Sequence, residues 1–296
     1  MAEHAPSAPA SGIRHALITG QSGFIGQRLS ARLERDGVRV TGVSRAAGFD
    51  ITSSVLPLDG VDHVFHLAAK TFVPDAWEDP AEFYRINTLG TLRILDQCRR
   101  AGASMTFIST YVYGWPAPMP VSERTPANPN NPYAFSKLAA EEACRFYART
   151  FGLKVSILRV FNAFGPGQGK DFLIPTIARH VVDPSCAEVV VADLAPRRDF
   201  VHVDDVVEAF LASPRLPSGQ PFNVGSGRSH SVEDVILACM KSAGVNKPYR
   251  ARDDKRVNEI SDVVADTSAI EAACGWRPQT SFEDGIRTVV EAIRQC

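Results

Sequence analysis

A short apolar run, Ala16-Leu17-Ile18-Thr19, passes directly into Gly20-Gln21-Ser22-Gly23-Phe24-Ile25-Gly26, after which Leu29 and Leu33 recur at helical spacing as far as Gly37. Strand, glycine-rich turn and helix in this order restrict the fold more than any other feature of the chain. Glycines let a backbone approach a pyrophosphate closely, and the N-terminus of the helix presents unpaired N–H groups to its oxygens. The spacing is G-x-x-G-x-x-G rather than the commoner dinucleotide fingerprint, and a tight turn without a ligand would use the same residues. Its place at the first strand-to-helix junction favours a cofactor, with Gly20, Ser22, Gly23, Phe24, Ile25 and Gly26 as the candidate contacts.

Val38 to Val43 reads as the second strand, at whose end a dinucleotide fold selects its cofactor. An acidic residue there holds a ribose 2'-hydroxyl, whereas this strand runs into Ser44-Arg45, which suits the 2'-phosphate of NADP. NAD stays open, since Arg45 is equally a solvated loop residue. Asp50-Ile51 either contacts adenine or starts a turn. Val64 to Ala69 reads as a buried parallel strand, followed by small residues where backbone could pass beside a cofactor; Leu67, Ala68 and Ala69 are candidate contacts and His66 is a packed strand histidine. Pro80 to Arg100 has one helical pattern, and Asn87 inside it is a candidate for fixing neighbouring backbone. Thr106 to Ser109 is the next strand, which delivers Ser109 and Thr110 to the edge where open α/β sheets bind ligands; each is alternatively an ordinary strand terminus.

Six prolines within the seventeen residues from Pro116 to Pro132 demand a loop. Asn131 then caps a helix, Pro132 suits its first position and Gly152 ends it. Tyr133 and Lys137 stand four apart near its start, so that the ammonium can approach the phenol and favour its ionised form. This is a tunable acid, although a stacked surface pair has the same spacing. Val155 to Asn162 is a further strand before Gly165-Pro166-Gly167-Gln168-Gly169. The alternation predicts an α/β fold, a Rossmann-type doubly wound parallel sheet with a smaller C-terminal substrate-binding lobe. Residues 1–12 are expected to be a disordered tail, 13–165 the dinucleotide-binding domain and 166–296 mainly the second lobe, with about 200–224 returning to the first. Arg197, Arg198 and Arg256 either bind a second pyrophosphate through arginine's planar fork or form surface ion pairs.

A net charge of −1 gives no reason to expect nucleic acid or an anionic membrane as partner, and no stretch is long and apolar enough to span one. The six cysteines lie far apart, without zinc or redox spacing, and no metal site is expected. Residues 1–12 lack the apolar core of a secretory signal, which predicts a cytoplasmic protein.

Together these motifs resemble the extended short-chain dehydrogenase/reductase family, in its nucleotide-sugar branch of epimerases, dehydratases and reductases. The glycine turn, His66-Leu67-Ala68-Ala69 and Tyr133 with Lys137 carry the likeness, as do the segments from Leu158 to Gln168 and from Arg198 to Asp205, which are more specific to nucleotide-sugar members. The resemblance implies a nucleotide-diphosphate sugar as substrate. Ser109, four before the tyrosine of Val112-Tyr113-Gly114, would hold the sugar oxygen beside Tyr133, with Thr110 as substitute. Asn162, Arg198 and Arg256 would contact the diphosphate, and helices near Thr91 to Arg100 and Ala140 to Phe151 would pair in a homodimer. Dehydratases of the family carry Asp-Glu after the catalytic threonine, where Tyr111-Val112 stand here, and epimerase/reductases carry a cysteine at the place of Tyr111. Reduction of a 4-keto sugar or 4-epimerisation is left. Thr71-Phe72 and the residues to Ala76 resemble GDP-4-keto-6-deoxymannose reductases and are counted with the substrate contacts. The expectation is an NADPH-dependent 4-ketoreductase; the rivals are a 4-epimerase holding NAD tightly and a silent NADP-sensing regulatory protein.

Overall fold

The structure is a computed structural model and describes residues 12–115, 119–252 and 259–295. In chain order the first half comprises β1 (His15–Thr19), α1 (Phe24–Arg35), β2 (Arg39–Val43), β3 (His63–His66), α2 (Val73–Glu78), α3 (Pro80–Phe83), α4 (Thr91–Ala101), β4 (Ser104–Thr110) and α5 (Pro132–Phe151). There follow β5 (Val155–Val160), β6 (Asn162–Phe164), α6 (Leu173–Val182), β7 (Val189–Val191), β8 (Arg197–His202), α7 (Val203–Ala212), β9 (Pro221–Val224) and β10 (Ser229–Ser231). The chain closes with α8 (Val232–Ala243), β11 (Tyr249–Ala251), α9 (Ser268–Cys274) and α10 (Phe282–Arg294).

Six parallel strands form the main sheet in the order β2-β1-β3-β4-β5-β9. Every residue of β1, β3 and β5 is buried, as strands covered on both faces must be. Because side chains alternate, neighbouring residues feed two cores. Ile18, Phe65 and Leu158 join Leu29 and Leu33 of α1 and Val206 and Phe210 of α7 on one face, together with Ile270 and Trp276. Leu17, Val64 and Ile157 join Ile94, Leu95 and Cys98 of α4 and Ala140 and Cys144 of α5 on the other. This is the doubly wound arrangement the alternation predicts.

β6 pairs with β8, and β8 with β10, in a three-stranded sheet, while β7 and β11 form a two-stranded one. A third core of Phe164, Ile177, Phe200, Ile236 and Val289 unites these strands with α6, α8 and α10. The main sheet reverses direction of strand order at β1, so the loops after β1 and β3 diverge around a crevice, the usual ligand position in such sheets.

Three elements differ from the sequence expectation, one being the strand over residues 155–162, which divides into β5 in the main sheet and β6 in the three-stranded one. The strand through Ala69 stops at His66; the Leu67 amide makes a last bond to the Thr19 carbonyl at 3.1 Å, and residues 68–70 leave the ladder. The single helix over Pro80–Arg100 is instead α3, a π-helical stretch at Tyr84–Gly90, and α4. Apolar periodicity cannot register a one-residue widening of the turn, and Asn87 lies inside it. The helix over Tyr133 agrees: Asn131 Oδ1 accepts the Ala134 N–H at 2.8 Å, Pro132 is its first residue and Gly152 closes it at φ 67°. Cys98, Cys144, Cys186, Cys239 and Cys274 are free thiols.

Candidate active site

Gly20 sits at φ 75°, and a Cβ there would lie 2.8 Å from the Ala68 amide nitrogen. At Gly26 a Cβ would run into the Gly20 carbonyl oxygen. Both positions therefore require glycine, and they bring α1's N-terminus against the loop of Leu67, Ala68 and Ala69. Gly23 is the N-cap of α1 and offers no side chain to the first turn, whose N–H groups, from Phe24 onward, stay available to an anion. Ser22 flanks that turn, and Ile25 packs on the core beneath it. The cradle fits a dinucleotide pyrophosphate.

A chain of polar residues fixes the cradle to α5. The Ala68 amide donates to Thr19 Oγ1 at 3.2 Å, and Thr19 Oγ1 lies 2.7 Å from His66 Nδ1. His66 Nε2 is 3.0 Å from Thr91 Oγ1, which donates to the Asn87 carbonyl at 2.6 Å. Asn87 accepts the Lys70 amide at 2.9 Å and donates to the Lys70 carbonyl and to Ser136 Oγ, each at 3.0 Å. Ser136 belongs to the first turn of α5 and donates to the Tyr133 carbonyl at 2.7 Å. Burial lowers the His66 pKa to about 3, with the nearby Lys137 charge acting the same way, so the ring is a neutral link in this chain.

Tyr133 is half-buried, its ring set edge-on to Phe83 with centroids 6.3 Å apart. Burial pushes its phenol up to about 12, partly opposed by a hydrogen bond from Thr110, while the Tyr111 phenol adds to the rise. Lys137 is 2% exposed, with Nζ 4.2 Å from the Phe107 ring centre, and burial brings its ammonium down to about 7 against the raising influence of Cys144 and Glu141. The sequence expectation is that Lys137 lowers the Tyr133 pKa; here burial sets both shifts, raising the phenol and lowering the ammonium.

The two candidate hydroxyls separate. Thr110 meets Tyr133, whereas Ser109, the residue favoured by counting back from Tyr113, donates to Glu141 Oε1 at 2.5 Å. Consecutive strand residues point to opposite faces, and a count through the irregular Tyr111-Val112 segment cannot say which faces the site. Tyr111 itself stacks on Phe161 at 5.2 Å, its phenol 3.5 Å from Asn162 Oδ1.

At the end of β2, Ser44 is buried and Arg45 exposed. Asp50 Oδ1 accepts both the amide and the hydroxyl of Thr52 at 2.8 Å, bonds that hold its carboxyl below the usual range, and Ile51 packs into the core facing Gly90. Thr71 and Phe72 are exposed beyond β3, and the Phe72 ring reaches Phe172, at the start of α6, with centroids 6.5 Å apart. Asn162 donates to the Asp199 carbonyl at 3.2 Å. Arg198 donates to the carbonyls of Arg197 and Ile260 at 2.7 and 2.6 Å and pairs with Glu259. Arg256 lies outside the described residues.

Residues 16–225 match the NAD dependent epimerase/dehydratase family. The chain belongs to that family. It is 33% identical to a GDP-6-deoxy-D-mannose reductase of Pseudomonas aeruginosa over 93% of this chain and 95% of that one. It is 30% identical to a UDP-glucose 4-epimerase of Mycolicibacterium smegmatis over 94% and 98%. A solved structure of RMD from Pseudomonas aeruginosa complexed with NADPH superposes with a TM-score of 0.86 at 31% identity, covering 95% of this chain and 99% of that chain. The family binds NAD(P), and the glycine cradle is built for such a cofactor. Similar identities to a reductase and an epimerase leave the nucleotide-sugar reaction to be argued from the site.

Sequence reasoning missed Glu141, Arg159, Tyr113, Asn223 and Phe172. Two signals were present: Glu141 continues the four-residue spacing of Tyr133 and Lys137, and Arg159 is a charge within an otherwise apolar strand, which demands a buried partner. Among the described residues no helix is long and apolar enough to cross a membrane, and no acidic, histidine or cysteine group has metal-binding geometry.

Proposed function

We propose that this protein is an NADPH-dependent reductase of the 4-keto group of a nucleotide-diphosphate 4-keto-6-deoxyhexose. The observation that carries the reading is Arg45, exposed at the end of β2 where an acidic residue would select NAD, which suits the NADPH that a net reduction consumes. Tyr133, with the Thr110 hydroxyl on its oxygen, is the proposed proton donor. The GDP-6-deoxy-D-mannose reductase relative supports the substrate class.

NADPH bound on the Gly20–Gly26 cradle supplies a hydride. Tyr133 donates its proton to the oxygen that gains negative charge at the sugar C4, and Thr110 donates a hydrogen bond to the same region. Lys137 holds the cofactor ribose and replenishes the local positive charge. Asn162, Arg198 and, from outside the described segment, Arg256 are the proposed holders of the diphosphate, with Arg198 exchanging Glu259 for phosphate oxygens. Thr71 and Phe72 border the sugar. Ser44 and Arg45 take the 2'-phosphate, and Asp50 and Ile51 flank the adenine. A homodimer belongs to the same proposal: Leu89, Phe146 and Phe151 are 54%, 46% and 49% exposed along the π-helical stretch and α5.

The 4-epimerase reading has one observation in its favour, the 30% identity to UDP-glucose 4-epimerases. Following absorbance at 340 nm with NADPH and a panel of nucleotide 4-keto-6-deoxy sugars separates the two. A reductase consumes one NADPH per turnover. Interconversion of unreduced nucleotide sugars with no net NADPH consumption establishes the epimerase instead.

A further inference from the structure

Beneath the catalytic face, α5 carries a second functional group at the same spacing. Glu141 is fully buried, one turn beyond Lys137. Its carboxylate accepts Arg159 Nε at 3.0 Å and Nη2 at 2.7 Å, Arg145 Nη2 at 2.9 Å and Ser109 Oγ at 2.5 Å. Arg159 extends the network to the Tyr113 hydroxyl at 3.0 Å, which donates to Asn223 Oδ1 at 2.6 Å. A buried ion pair of this kind is no cheap source of stability, because desolvation consumes most of the attraction.

Its location gives it another use. The groups that must meet are Thr110 on β4 and Tyr133 on α5, and Glu141 is where the residue next to Thr110 is bonded to α5. Resting on the reductase reading for its consequences in turnover, we infer that Glu141 is a positioning residue. Clamped by Arg159 and Ser109, its carboxylate holds the end of β4 against α5 one turn from the Lys137 ammonium. Residues four apart on a helix are neighbours, and the Glu141 charge favours the Lys137 ammonium against the effect of burial. The groups around the pair are few. Glu141 and Cys144 face Lys137 from α5, the Phe107 ring from β4 and His66 from β3. Arg145 and Cys144 from α5, Arg159 from β5 and Ser109 from β4 face Glu141, with Cys98 of α4 behind Cys144 and Glu123 near Arg159.

The test is an NMR titration of 15N-lysine-labelled protein, with the Lys137 Nζ resonance assigned by its loss in Lys137→Met. Removing the negative charge in Glu141→Gln disfavours the ammonium, so its titration midpoint should move to lower pH by about one unit. The alkaline limb of kcat should move with it. A midpoint unchanged from wild type overturns the inference, since a merely structural carboxylate would leave it in place. Should Glu141→Gln fail to fold, Ser109→Ala removes only the hydroxyl bond. It should lower kcat about tenfold with KM and NADPH affinity unchanged, and Ser109→Thr should recover most of the loss. Unchanged kcat, or a raised KM instead, overturns the positioning role. Absence of NADPH oxidation by the wild type with every keto sugar would refute the reductase reading, while the titration still decides this one.

Discussion

The cofactor cradle and the proposed diphosphate contacts differ in what already occupies their hydrogen-bonding groups. Around Gly20–Gly26 the work is done by backbone. The glycines admit close approach, and Thr19, His66, Thr91 and Asn87 lock the flanking loops with bonds that a ligand need not disturb. Around Asn162 and Arg198 the work falls to side chains that are engaged by the protein itself, Arg198 by Glu259 and two carbonyls, Asn162 by the Asp199 carbonyl. One side is preorganised; on the proposed function, the other would exchange partners when substrate arrives. Preorganised groups stabilise a transition state without reorganisation, whereas exchangeable ones tune binding.

Four measurements test this contrast. The largest effect belongs to the preorganised side: Tyr133→Phe should cut kcat by roughly 10²- to 10⁴-fold with NADPH affinity intact, and an active variant removes Tyr133 as the acid. Next, Gly20→Val should weaken NADPH binding by about two orders of magnitude, because both φ and the Ala68 backbone forbid the side chain. Fluorescence titration with NADPH reads this directly, and near-normal binding would show the cradle to be adaptable after all. On the exchangeable side, Arg198→Met should raise KM for the nucleotide sugar about tenfold while leaving kcat and NADPH binding nearly unchanged. A drop in kcat of the Tyr133 size would erase the distinction.

The smallest effect concerns stability. His66 and His63, both buried, have pKa values lowered from 6.5 to about 3, so the unfolded chain binds more protons between those values. Stability should be fully present above pH 6.5 and decline as pH falls through that window, by up to about 1.4 kcal/mol per pH unit for each ring. Urea unfolding at pH 7 and pH 5 checks the slope, which His66→Gln should reduce.

How far the chain could be read from its residues varies element by element. Asn131, Pro132 and Gly152 announce α5 because capping is local chemistry, and the observed helix begins and ends where they say. The π-helical stretch escaped because the apolar pattern through Ile86 and Leu89 is shared by both helix types. Thr110 rather than Ser109 meets Tyr133 because the face a strand residue presents depends on register against α5, not on distance from Tyr113. Arg198 was visible as a phosphate-type residue, but its partner Glu259 lies 61 residues away and was not.

By itself the sequence determined the order of strands and helices, the cradle glycines, the helix that carries Tyr133 and Lys137, and the family. These depend on neighbours within a few turns or on short motifs. Only the tertiary structure decided which hydroxyl faces the site, that burial drives the phenol and the ammonium in opposite directions, and that Glu141 and Arg159 meet beneath them. Those outcomes arise between residues distant in the chain, where desolvation and register, which no local pattern encodes, set the energies.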